Sequence, residues 1–322
     1  MRYSLGVDVG GTKILGAVVD EEGNIVSKTR VPTDRVAGLD ALPDAVDLFL
    51  AEAGKPIEAI GLAVAGFVGY PSGRVVFGAN LAFSNPAIGE DISREYGLPV
   101  VVENDANAAA WAENRFGAGK GSRQMVMLTV GTGIGGGVIL DGRLYRGSRG
   151  YAGEFGHMPV MMEGPVCNCG SRGCLETLAS GRALGRMAQE RAADWPDSEV
   201  LRLADGNIEA VTGAMVGKAA DIRDPFAIEL LWDLGTWLGV GLTALARAFD
   251  PEVIVVGGGV LEEGESVLGA ARDELAERYR GQVAPPRVVS ASLGNDAGVV
   301  GAAQLSLESG NRIEGSETRH GG

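Results

Sequence analysis

The sequence predicts an α/β protein with two duplicated domains. Short runs rich in Val and Ile alternate with longer amphipathic stretches, which is the pattern of strands and helices in α/β folds. The chain has 322 residues, 45% of them hydrophobic, and can bury one large core or two ordinary ones. A strand–turn–strand segment near the N-terminus has a counterpart 121 residues later, which indicates an internal duplication.

The repeat appears when VDVGGTKILGAVVD (residues 7–20) is set above LTVGTGIGGGVILD (residues 128–141). Four of the fourteen positions are identical without a gap, and the apolar positions match. Both segments have the pattern of a strand, a glycine turn and a second strand. Because glycine-rich hairpins are common, two unrelated hairpins are the alternative interpretation.

In the first half, apolar periodicity and the turn residues between apolar runs predict the elements. Three strands form a meander because glycine-containing turns separate them. A helix follows, with Leu42, Val46 and Phe49 on one face, and a later helix ends at Gly117. The predicted elements are strands at 5–9, 14–19, 25–28, 60–65 and 99–103 and helices at 42–53 and 106–116.

The second half begins with another meander, in which Asp141-Gly142 is typical of a type I′ hairpin. Ser180 is a good N-cap for the helix after it, and a long apolar helix, which we expect to be buried, ends at Asp250-Pro251. The polar residues after Glu308 are predicted to be disordered. The predicted elements are strands at 126–130, 136–140, 143–145, 253–256 and 288–291 and helices at 181–193, 225–249, 272–279 and 297–307.

The charge balance argues against several classes of partner. The chain has 28 basic and 42 acidic residues, a formal net charge of −14 and no basic run, which disfavours nucleic acid and anionic membranes. The longest apolar stretches, such as Val253–Val256, are too short to span a bilayer. The N-terminus lacks the apolar region and cleavage site of a signal peptide. We therefore expect a cytoplasmic protein that binds neither nucleic acid nor membrane.

All three cysteines lie within the eight residues CNCGSRGC, at Cys167, Cys169 and Cys174. Their odd number argues against a disulfide framework, and their spacing differs from the CxxC of a redox pair. His157 lies ten residues upstream, so three thiolates and one imidazole could complete a closed tetrahedral zinc site. Such a site is structural because no coordination position remains for water. The alternative is three buried thiols that pack as small apolar groups.

Three glycine-rich turns follow apolar strands, at residues 10–13, 131–137 and 257–259. None fits the Walker A pattern or the dinucleotide fingerprint. Glycine turns between antiparallel strands can still present backbone N–H groups to phosphate oxygens. Thr12 and Thr132 add hydroxyls and Lys13 adds a cation, so the turns together predict a phosphate clamp. The alternative is that each glycine only serves a tight turn.

Acidic and amide side chains cluster in Glu103-Asn104-Asp105-Ala106-Asn107, between a strand and a helix. One interpretation is that Asn104 or Asp105 caps the helix. The other places Asp105 at the carboxyl end of a strand, where α/β proteins bind ligands. A carboxylate there can accept a hydroxyl proton during phosphoryl transfer. The residues alone leave both interpretations open.

Two glutamates flank the predicted metal loop. Glu154 lies three residues before His157, among small and apolar residues, and Glu176 lies two residues after Cys174. A rigid metal loop could hold both carboxylates toward one small polar ligand. The alternative is that both are ordinary solvated glutamates.

Six motifs in this order resemble the ROK family of sugar kinases, and within it the glucokinases of actinobacterial type. The likeness extends over roughly residues 4 to 307, and the cysteine motif is its most specific part. The motifs are DVGGTK (8–13), ENDANAAAWAE (103–113), GTGIGGG (131–137), GEFGHM (153–158), CNCGSRGCLE (167–176) and IVVGGG (254–259).

The resemblance implies an actin-like ATPase (ribonuclease H-like) fold, with two duplicated α/β domains around a central cleft. Residues 1–109 with about 299–313 would form the small domain, residues 110–298 the large domain with the zinc loop, and residues 314–322 a disordered tail. The implied activity is transfer of the γ-phosphate of ATP to the 6-hydroxyl of glucose, with ATP, Mg²⁺ and a structural Zn²⁺. A homodimer or homotetramer is the usual assembly of similar proteins.

The resemblance also implies roles for individual residues. Asp105 would be the catalytic base, and Asp8 would lie near Mg²⁺ through water. His157 would bind zinc through one ring nitrogen and the sugar through the other. The sugar-binding set is Gly66, Asn80, Asn104, Asp105, Glu154, His157 and Glu176. The nucleotide-binding set is Asp8, Gly10, Gly11, Thr12, Lys13, Thr132, Gly133, Gly257 and Gly258, and the metal ligands are His157, Cys167, Cys169 and Cys174.

One departure widens the choice of sugar. Phe83 stands where glucokinases of this family often have tryptophan, so mannose, fructose, allose and N-acetylmannosamine are alternative substrates. Separately, the sequence does not exclude polyphosphate as an alternative phosphoryl donor. A second function class is a sugar-responsive repressor of the same family. Such a repressor is expected to carry a helix-turn-helix before the first glycine motif, which here begins at residue 8.

Overall fold

The structure, a computed structural model, describes residues 1–34, 36–78, 82–263 and 265–317. Within these residues the strands form two five-stranded sheets and one two-stranded sheet. The strands of the first half are β1 (Tyr3–Val9), β2 (Lys13–Asp20), β3 (Ile25–Pro32), β4 (Ala59–Val64), β5 (Gly66–Val68), β6 (Val75–Gly78) and β7 (Val100–Asn104).

The first sheet has the strand order β3-β2-β1-β4-β7. Its first three strands are antiparallel, and β4 and β7 continue it in parallel. Every residue of the central strand β4 is buried, as its apolar sequence AIGLAV requires, whereas the edge strand β3 alternates half-buried and exposed positions. Strands β5 and β6 pair as a separate antiparallel hairpin that the sequence did not predict.

The second sheet repeats this architecture. Its order is β10-β9-β8-β11-β12, which matches the first sheet strand for strand in order of connection. An antiparallel pair again precedes parallel strands. The predicted internal duplication is therefore confirmed. The strands are β8 (Met125–Val130), β9 (Ile134–Leu140), β10 (Arg143–Leu144), β11 (Val253–Gly257) and β12 (Arg287–Ser290).

Ten α-helices lie within the described residues. The Ser180 side chain accepts a hydrogen bond from the N–H of Ala183, as expected of an N-cap. The helices are α1 (Leu42–Glu52), α2 (Ile88–Tyr96), α3 (Asp105–Arg115), α4 (Glu176–Ala179), α5 (Gly181–Arg191), α6 (Glu199–Leu203), α7 (Gly213–Asp221), α8 (Pro225–Phe249), α9 (Glu265–Arg278) and α10 (Ala297–Glu317).

Helix α8 is the one described helix that is long and apolar enough to cross a membrane by length and composition alone. The expectation that no apolar stretch reaches that length was therefore wrong for this helix. More than half of its apolar window, 56%, is buried inside the protein. Leu234, Leu238 and Leu242 lie at helical spacing on its buried face, which is the pattern of a core helix.

Helix α10 packs against the first sheet and is longer than predicted. The Ser4 hydroxyl donates to the carbonyl of Ala303 at 2.8 Å. A Cβ placed on Gly6 would lie 2.0 Å from the carbonyl oxygen of Val299, so only glycine lets the helix approach so closely. The helix continues through residue 317, beyond the predicted end at Leu307, and no proline interrupts this segment. The predicted disorder of the C-terminal tail stays a prediction.

The chain divides into two compact units. The first unit is Met1–Gly121, Gly137–Gly153 and Leu293–Gly322, and the second is Ser122–Gly136 and Glu154–Ser292. The domain boundaries proposed from the sequence stay a prediction. The candidate site residues are described below unit by unit.

Candidate active site

The first glycine turn joins β1 to β2 in the first unit. The N–H of Gly10 donates to the carbonyl of Lys13 at 3.0 Å, which closes the turn. The Thr33 hydroxyl donates to the carbonyl of Gly10 at 2.6 Å, and the Thr33 N–H donates to the carbonyl of Thr12 at 3.2 Å. The side chains of Thr12 and Lys13 are exposed. Thr33 thus holds the turn in place, and the Thr12 hydroxyl and the Lys13 ammonium group are available to a ligand.

Asp8 lies just before this turn and is half-buried. Burial is the main reason that the pKa of its carboxyl is raised to about 6, and the Asp105 carboxylate adds to the rise while Lys13 opposes it. Asp8 and Asp105 are 97 residues apart in the sequence and interact electrostatically in the structure. The unit therefore gathers two carboxylates whose charge is incompletely compensated, which is an environment that favours a cation.

Asn104 and Asp105 lie where β7 ends and α3 begins. Asn104 is the N-cap, since its Oδ1 accepts from the N–H of Asn107 at 2.9 Å. Its Nδ2 donates to the carbonyl of Gly66 and to Oδ1 of Asp105, both at 3.0 Å. The residues alone left either side chain as the cap, and the structure assigns that role to Asn104. The carboxylate of Asp105 is therefore not needed to cap the helix.

The Asp105 carboxylate is both held and destabilised as an anion. Its Oδ1 accepts from Nδ2 of Asn104 and from the N–H of Ala106 at 2.9 Å. Burial raises the pKa of Asp105 to about 6, although these N–H donors lower it. A carboxylate with a pKa near neutrality is suited to take up a proton.

Glu103 is a residue of this loop that the sequence analysis assigned no role. It is 4% exposed. Its Oε1 accepts from the N–H of Asn104 at 3.1 Å and from Nδ2 of Asn107 at 3.0 Å, and its Oε2 accepts from Nε of Arg146 at 2.5 Å. An acid at the end of a buried strand was the signal that could have identified it, since such a charge requires a partner.

The second glycine turn joins β8 to β9 and rests on Glu176. The N–H of Gly131 donates to the carbonyl of Gly133 at 2.9 Å. The N–H of Ile134 donates to Oε2 of Glu176, also at 2.9 Å. A Cβ placed on Gly133 would lie 2.3 Å from that same oxygen. Residue 133 must therefore be glycine for Glu176 to keep its position.

A cavity of about 560 Å³ opens beside this turn in the second unit. Thr132 of the predicted nucleotide set lines it, and so do Gly131, Gly213 and Gly259. A groove of this size, lined by several glycines, can accept a nucleotide close to the backbone.

Gly257 and Gly258, also predicted to bind nucleotide, lie immediately before Gly259. Gly258 has a φ of 101°, and a Cβ on it would lie 2.4 Å from the carbonyl oxygen of Val130. A Cβ on Gly257 would lie 2.8 Å from the Cβ of Ala291. Both glycines therefore have a packing role at the end of β11, whereas Gly259 is the glycine of this motif that lines the cavity.

His157 and the three cysteines come together in the second unit, as predicted. Nδ1 of His157 lies 3.5 Å from Sγ of Cys167, and the Sγ atoms of Cys169 and Cys174 are 3.7 Å apart. One ligand atom from each of the four residues lies within 4.8 Å of all the others. The loop is closed by the Cys167 N–H, which donates to the carbonyl of Ser171 at 2.8 Å. These four residues could hold one metal ion.

The donor set fits a divalent ion that prefers sulfur and imidazole. All three cysteines are free thiols. Burial raises the pKa of Cys174 to about 12, whereas the backbone N–H of Ser171 lowers the pKa of Cys169. As neutral groups, two buried thiols and an imidazole at this spacing would stabilise one another only weakly, because a thiol is a weak hydrogen-bond donor and acceptor. A bound cation would favour the three thiolates, which with the His157 imidazole make four ligands.

The turn that holds Glu154 and His157 packs against Ile134, and Glu176 bonds to the same residue. The N–H of His157 donates to the carbonyl of Glu154 at 3.1 Å, and a short 3-10 helix, Phe155–His157, holds the two residues in one turn. A Cβ on Gly156 would lie 2.3 Å from the carbonyl oxygen of Ile134, whose N–H donates to Glu176. The N–H of Leu175 donates to the carbonyl of Met158 at 2.9 Å and so joins the metal loop to this turn. The backbone of the Glu154–His157 turn and the carboxylate of Glu176 are thus both held at Ile134.

The structure brings several of the predicted residues into contact within each unit. In the first unit Asp8 interacts with Asp105, and Asn104 contacts both Asp105 and Gly66. In the second unit Glu176 contacts the Gly133 turn, and His157 contacts the cysteine loop. Asn80 lies outside the described residues.

Comparison with known proteins gives a consistent result. The ROK family profile matches residues 4–309. A glucokinase of Streptomyces coelicolor is 45% identical over 314 residues, which cover 96% of this chain and 98% of that protein.

Two solved structures are also similar to the chain. One is a ROK family glucokinase from Streptomyces griseus in complex with glucose and AMPPNP. It has a TM-score of 0.84 and 43% identity, and the match covers 95% of this chain and 99% of that one. The other is a ROK hexokinase from Thermus thermophilus, with a TM-score of 0.81 and 37% identity over 97% of this chain and all of that one.

Proposed function

The chain belongs to the ROK family and is an ATP-dependent glucokinase, and we propose that Asp105 is its catalytic base. Its fold is that of the actin-like ATPases, with mixed α/β sheets. The observation that carries the proposal is the Asp105 carboxylate, which sits at the carboxyl end of β7 with its Oδ1 held by two donors and its pKa raised to about 6.

Asp105 would act on the 6-hydroxyl of glucose. The carboxylate accepts the hydroxyl proton while the hydroxyl oxygen forms a bond to the γ-phosphorus of ATP. The bond from that phosphorus to the bridging oxygen breaks, and ADP leaves with the electron pair. The raised pKa of Asp105 makes its carboxylate a stronger base, and at neutral pH that carboxylate is still ionised and ready to accept the hydroxyl proton. The hydrogen bonds from Asn104 and Ala106 fix the direction from which the base approaches.

The remaining predicted contacts divide between the units. In the first unit we assign sugar binding to the backbone at Gly66 and to Asn104, together with Asn80. In the second we assign it to Glu154, His157 and Glu176. For His157 the contact of Nδ1 with Cys167 supports the division of roles, because it leaves Nε2 available for a sugar hydroxyl. Carboxylates and amides in fixed orientations are the groups that recognise sugar hydroxyls in polar sites.

Phosphate binding is assigned to the two glycine turns. Gly10, Gly11, Thr12 and Lys13 would contact phosphate oxygens in the first unit, and Thr132 and Gly133 in the second, with Gly257 and Gly258 next to the cavity. The exposed Thr12 and Lys13 side chains support the first assignment. The cavity lined by Thr132 supports the second. Backbone N–H groups and one cation suit a triphosphate, whose charge is spread over many oxygens.

Asp8 fits a role near Mg²⁺. Its carboxylate is half-buried close to a second carboxylate, and its pKa is raised to about 6, so a divalent cation would stabilise its charged form. When bound with ATP, Mg²⁺ supplies neutralisation of phosphate charge. We assign Asp8 to hold that ion through water, as the resemblance to the ROK sugar kinases implies.

The four-residue cluster fits a structural Zn²⁺. Three sulfurs and one imidazole nitrogen match the ligands of closed zinc sites, and no position is left for a reacting water. Zinc at this cluster would fix the loop between His157 and Glu176. We also propose that the enzyme is cytoplasmic and forms a homodimer or homotetramer.

The experiment that tests the proposed function is a hexose panel. Purified protein is assayed with ATP and, in turn, glucose, mannose, fructose, allose and N-acetylmannosamine, and the product is identified by phosphorus NMR. We expect glucose to have the highest kcat/KM, by roughly tenfold or more over the others, because a site built to bind particular hydroxyls discriminates strongly. A parallel series replaces ATP with polyphosphate. A higher kcat/KM for another hexose, or no phosphorylation at all, would contradict the proposal.

A further inference from the structure

Glu103 and Arg146 form an ion pair directly behind the proposed catalytic residues. The Glu103 side chain is 6% exposed and that of Arg146 is 20% exposed. Nε of Arg146 donates to Oε2 of Glu103 at 2.5 Å. Both residues belong to the first unit, although 43 positions separate them. A pair so shielded from water interacts more strongly than a surface pair, and the loss of one partner is costly.

The other carboxylate oxygen of Glu103 holds the junction of β7 and α3, residues 104–107, which is called the catalytic loop below. Oε1 accepts from the backbone N–H of Asn104 and from Nδ2 of Asn107. Asn104 in turn donates to Asp105, and its Oδ1 accepts from the N–H of Asn107. Glu103 therefore touches the loop on both sides of Asp105, whereas Arg146 touches only Glu103 in this network.

Arg146 is itself held in place. Its guanidinium lies 5.0 Å from the centre of the Tyr70 ring, within the range of a cation–π contact. The N–H of Tyr70 donates to the carbonyl of Arg149 at 2.9 Å, which ties the two chain segments together. The carbonyl of Gly66, four residues before Tyr70, accepts from Asn104. The guanidinium is thus oriented by the same segment that contacts the catalytic loop.

We propose that Glu103 and Arg146 are positioning residues that hold Asn104 and Asp105 in their productive orientation. This inference rests on the proposed role of Asp105 as base. Without Arg146, the carboxylate of Glu103 would be buried without its cation and would turn toward water or take up a proton. Either change weakens its bonds to Asn104 and Asn107. A displacement of the base by a fraction of an ångström reduces kcat more than it reduces substrate binding.

The ion pair can be reached by a small solute, which makes the proposal testable by chemical rescue. Glu103 and Arg146 both line a cavity of about 670 Å³ in the first unit. Removal of the Arg146 side chain would enlarge the space next to Glu103. A free guanidinium ion has the charge and the planar donor geometry of the missing group. Urea has the same shape without the charge.

The first test is Arg146→Ala, assayed with saturating glucose and ATP. We expect kcat to fall roughly 30- to 100-fold, as for a small misplacement of a catalytic group, with KM for ATP within about twofold of the wild-type value. Guanidinium chloride at non-denaturing concentration should restore kcat at least about fivefold, while equal urea or sodium chloride should not. Arg146→Lys, which keeps the cation, should retain more kcat than Arg146→Ala.

Arg143→Ala is the matched control. Arg143 lines the same cavity and forms no ion pair within the part of the chain that the structure describes. Its variant should keep the wild-type kcat and should not respond to guanidinium. If Arg146→Ala folds poorly, Glu103→Gln provides the second test, because the amide keeps the size and one acceptor. The double variant Glu103→Gln/Arg146→Ala should then lose no more kcat than the more impaired single variant.

The results separate the two proposals. A wild-type kcat in Arg146→Ala and in Glu103→Gln, with Asp105→Asn inactive, would overturn the positioning role and leave Asp105 as base. Independent, multiplying losses in the double variant would also overturn it. A wild-type kcat in Asp105→Asn would overturn the role of Asp105 itself, whatever Arg146 does.

Discussion

The two glycine turns occupy equivalent places in two sheets of the same strand order, yet different neighbours hold them. Residues 10–12 connect β1 to β2 and rest on Thr33, which bonds to Gly10 and Thr12. Residues 131–133 connect β8 to β9 and rest on Glu176. Thr33 has no assigned contact with substrate, whereas Glu176 is assigned to the sugar. Duplication kept the turn, and each copy acquired a different support.

This difference has a consequence for binding. In the first unit the phosphate turn is braced independently of any sugar-binding residue. In the second unit the N–H of Ile134, which follows the turn, bonds to the carboxylate that we assign to the sugar. Changes at the second turn should therefore alter the affinity for both substrates, and changes at the first turn should alter only the affinity for ATP.

Gly133→Ala should have the largest effect of the substitutions that test this comparison. The new Cβ would lie 2.3 Å from Oε2 of Glu176, a flexible side-chain end that can move away without unfolding the protein. We expect KM for glucose and KM for ATP to rise together, glucose by roughly 30-fold or more, because a charged hydrogen-bonding group leaves its position. Steady-state kinetics measure the two KM values, and thermal melting checks that the variant is folded.

Gly131→Ala is the control for that substitution, since a Cβ on Gly131 meets nothing within 4 Å. It should change KM for glucose much less than Gly133→Ala does. A similar rise in both variants would mean that the turn, rather than Glu176, determines the affinity for glucose.

Cys169→Ser should have the next largest effect. Removal of one thiolate from four ligands should release the metal, which elemental analysis can measure. We expect KM for glucose to rise about tenfold and the melting temperature to fall together, because the loop positions His157 and Glu176. Met162→Ser is the matched control, since Met162 is 91% exposed and only four residues separate it from Cys167. Loss of metal with unchanged affinity for glucose would contradict a role of the loop in positioning His157 and Glu176.

The pH profile probes the first unit. The pKa of Asp105 is raised to about 6, so the base is ionised above that pH and protonated below it. We expect kcat/KM for glucose to be level near pH 7 to 8 and to fall below pH 6, approaching about tenfold per pH unit if Asp105 alone titrates. Asp8, whose pKa is also raised to about 6, would make the fall steeper. A level profile down to pH 5 would contradict a base of this kind.

Thr33→Val should have the smallest effect. It removes the hydroxyl that donates to Gly10, at a cost of about 1 kcal/mol, as expected for a single hydrogen bond. KM for ATP should rise by roughly two- to fivefold, which is that energy expressed as affinity, and KM for glucose should not change. An equal rise in KM for glucose would remove the distinction between the two turns.

The sequence predicted the fold and the metal cluster because their signals are local. Alternation of apolar residues placed the strands of both meanders, and the shared glycine-turn pattern identified the duplication. The three cysteines are close in sequence, so their spacing alone brought their sulfurs near one another. Asn104 and Asp105 were recognised as a loop of interest, but which of them caps α3 depends on side-chain rotamers that a sequence does not specify.

Contacts between distant segments were not predictable in the same way. Glu103 and Arg146 are 43 residues apart, and each alone is an ordinary charged residue. The contact between Gly133 and Glu176 also joins residues that are 43 positions apart in the sequence. Helix α10 exceeded its predicted end because polar residues without proline are compatible with both helix and disorder.

The most direct test of the central claim compares Asp105→Asn with the wild type in glucose binding and in ATP-dependent phosphorylation. The raised pKa means that ionised Asp105 lowers stability once the pH exceeds about 6, so the neutral amide should melt no lower than the wild type at pH 7.5. Calorimetry should give a glucose Kd within about tenfold of the wild-type value, while turnover falls by roughly 1,000-fold. Turnover within about tenfold of the wild-type rate in a folded Asp105→Asn protein would contradict Asp105 as the base.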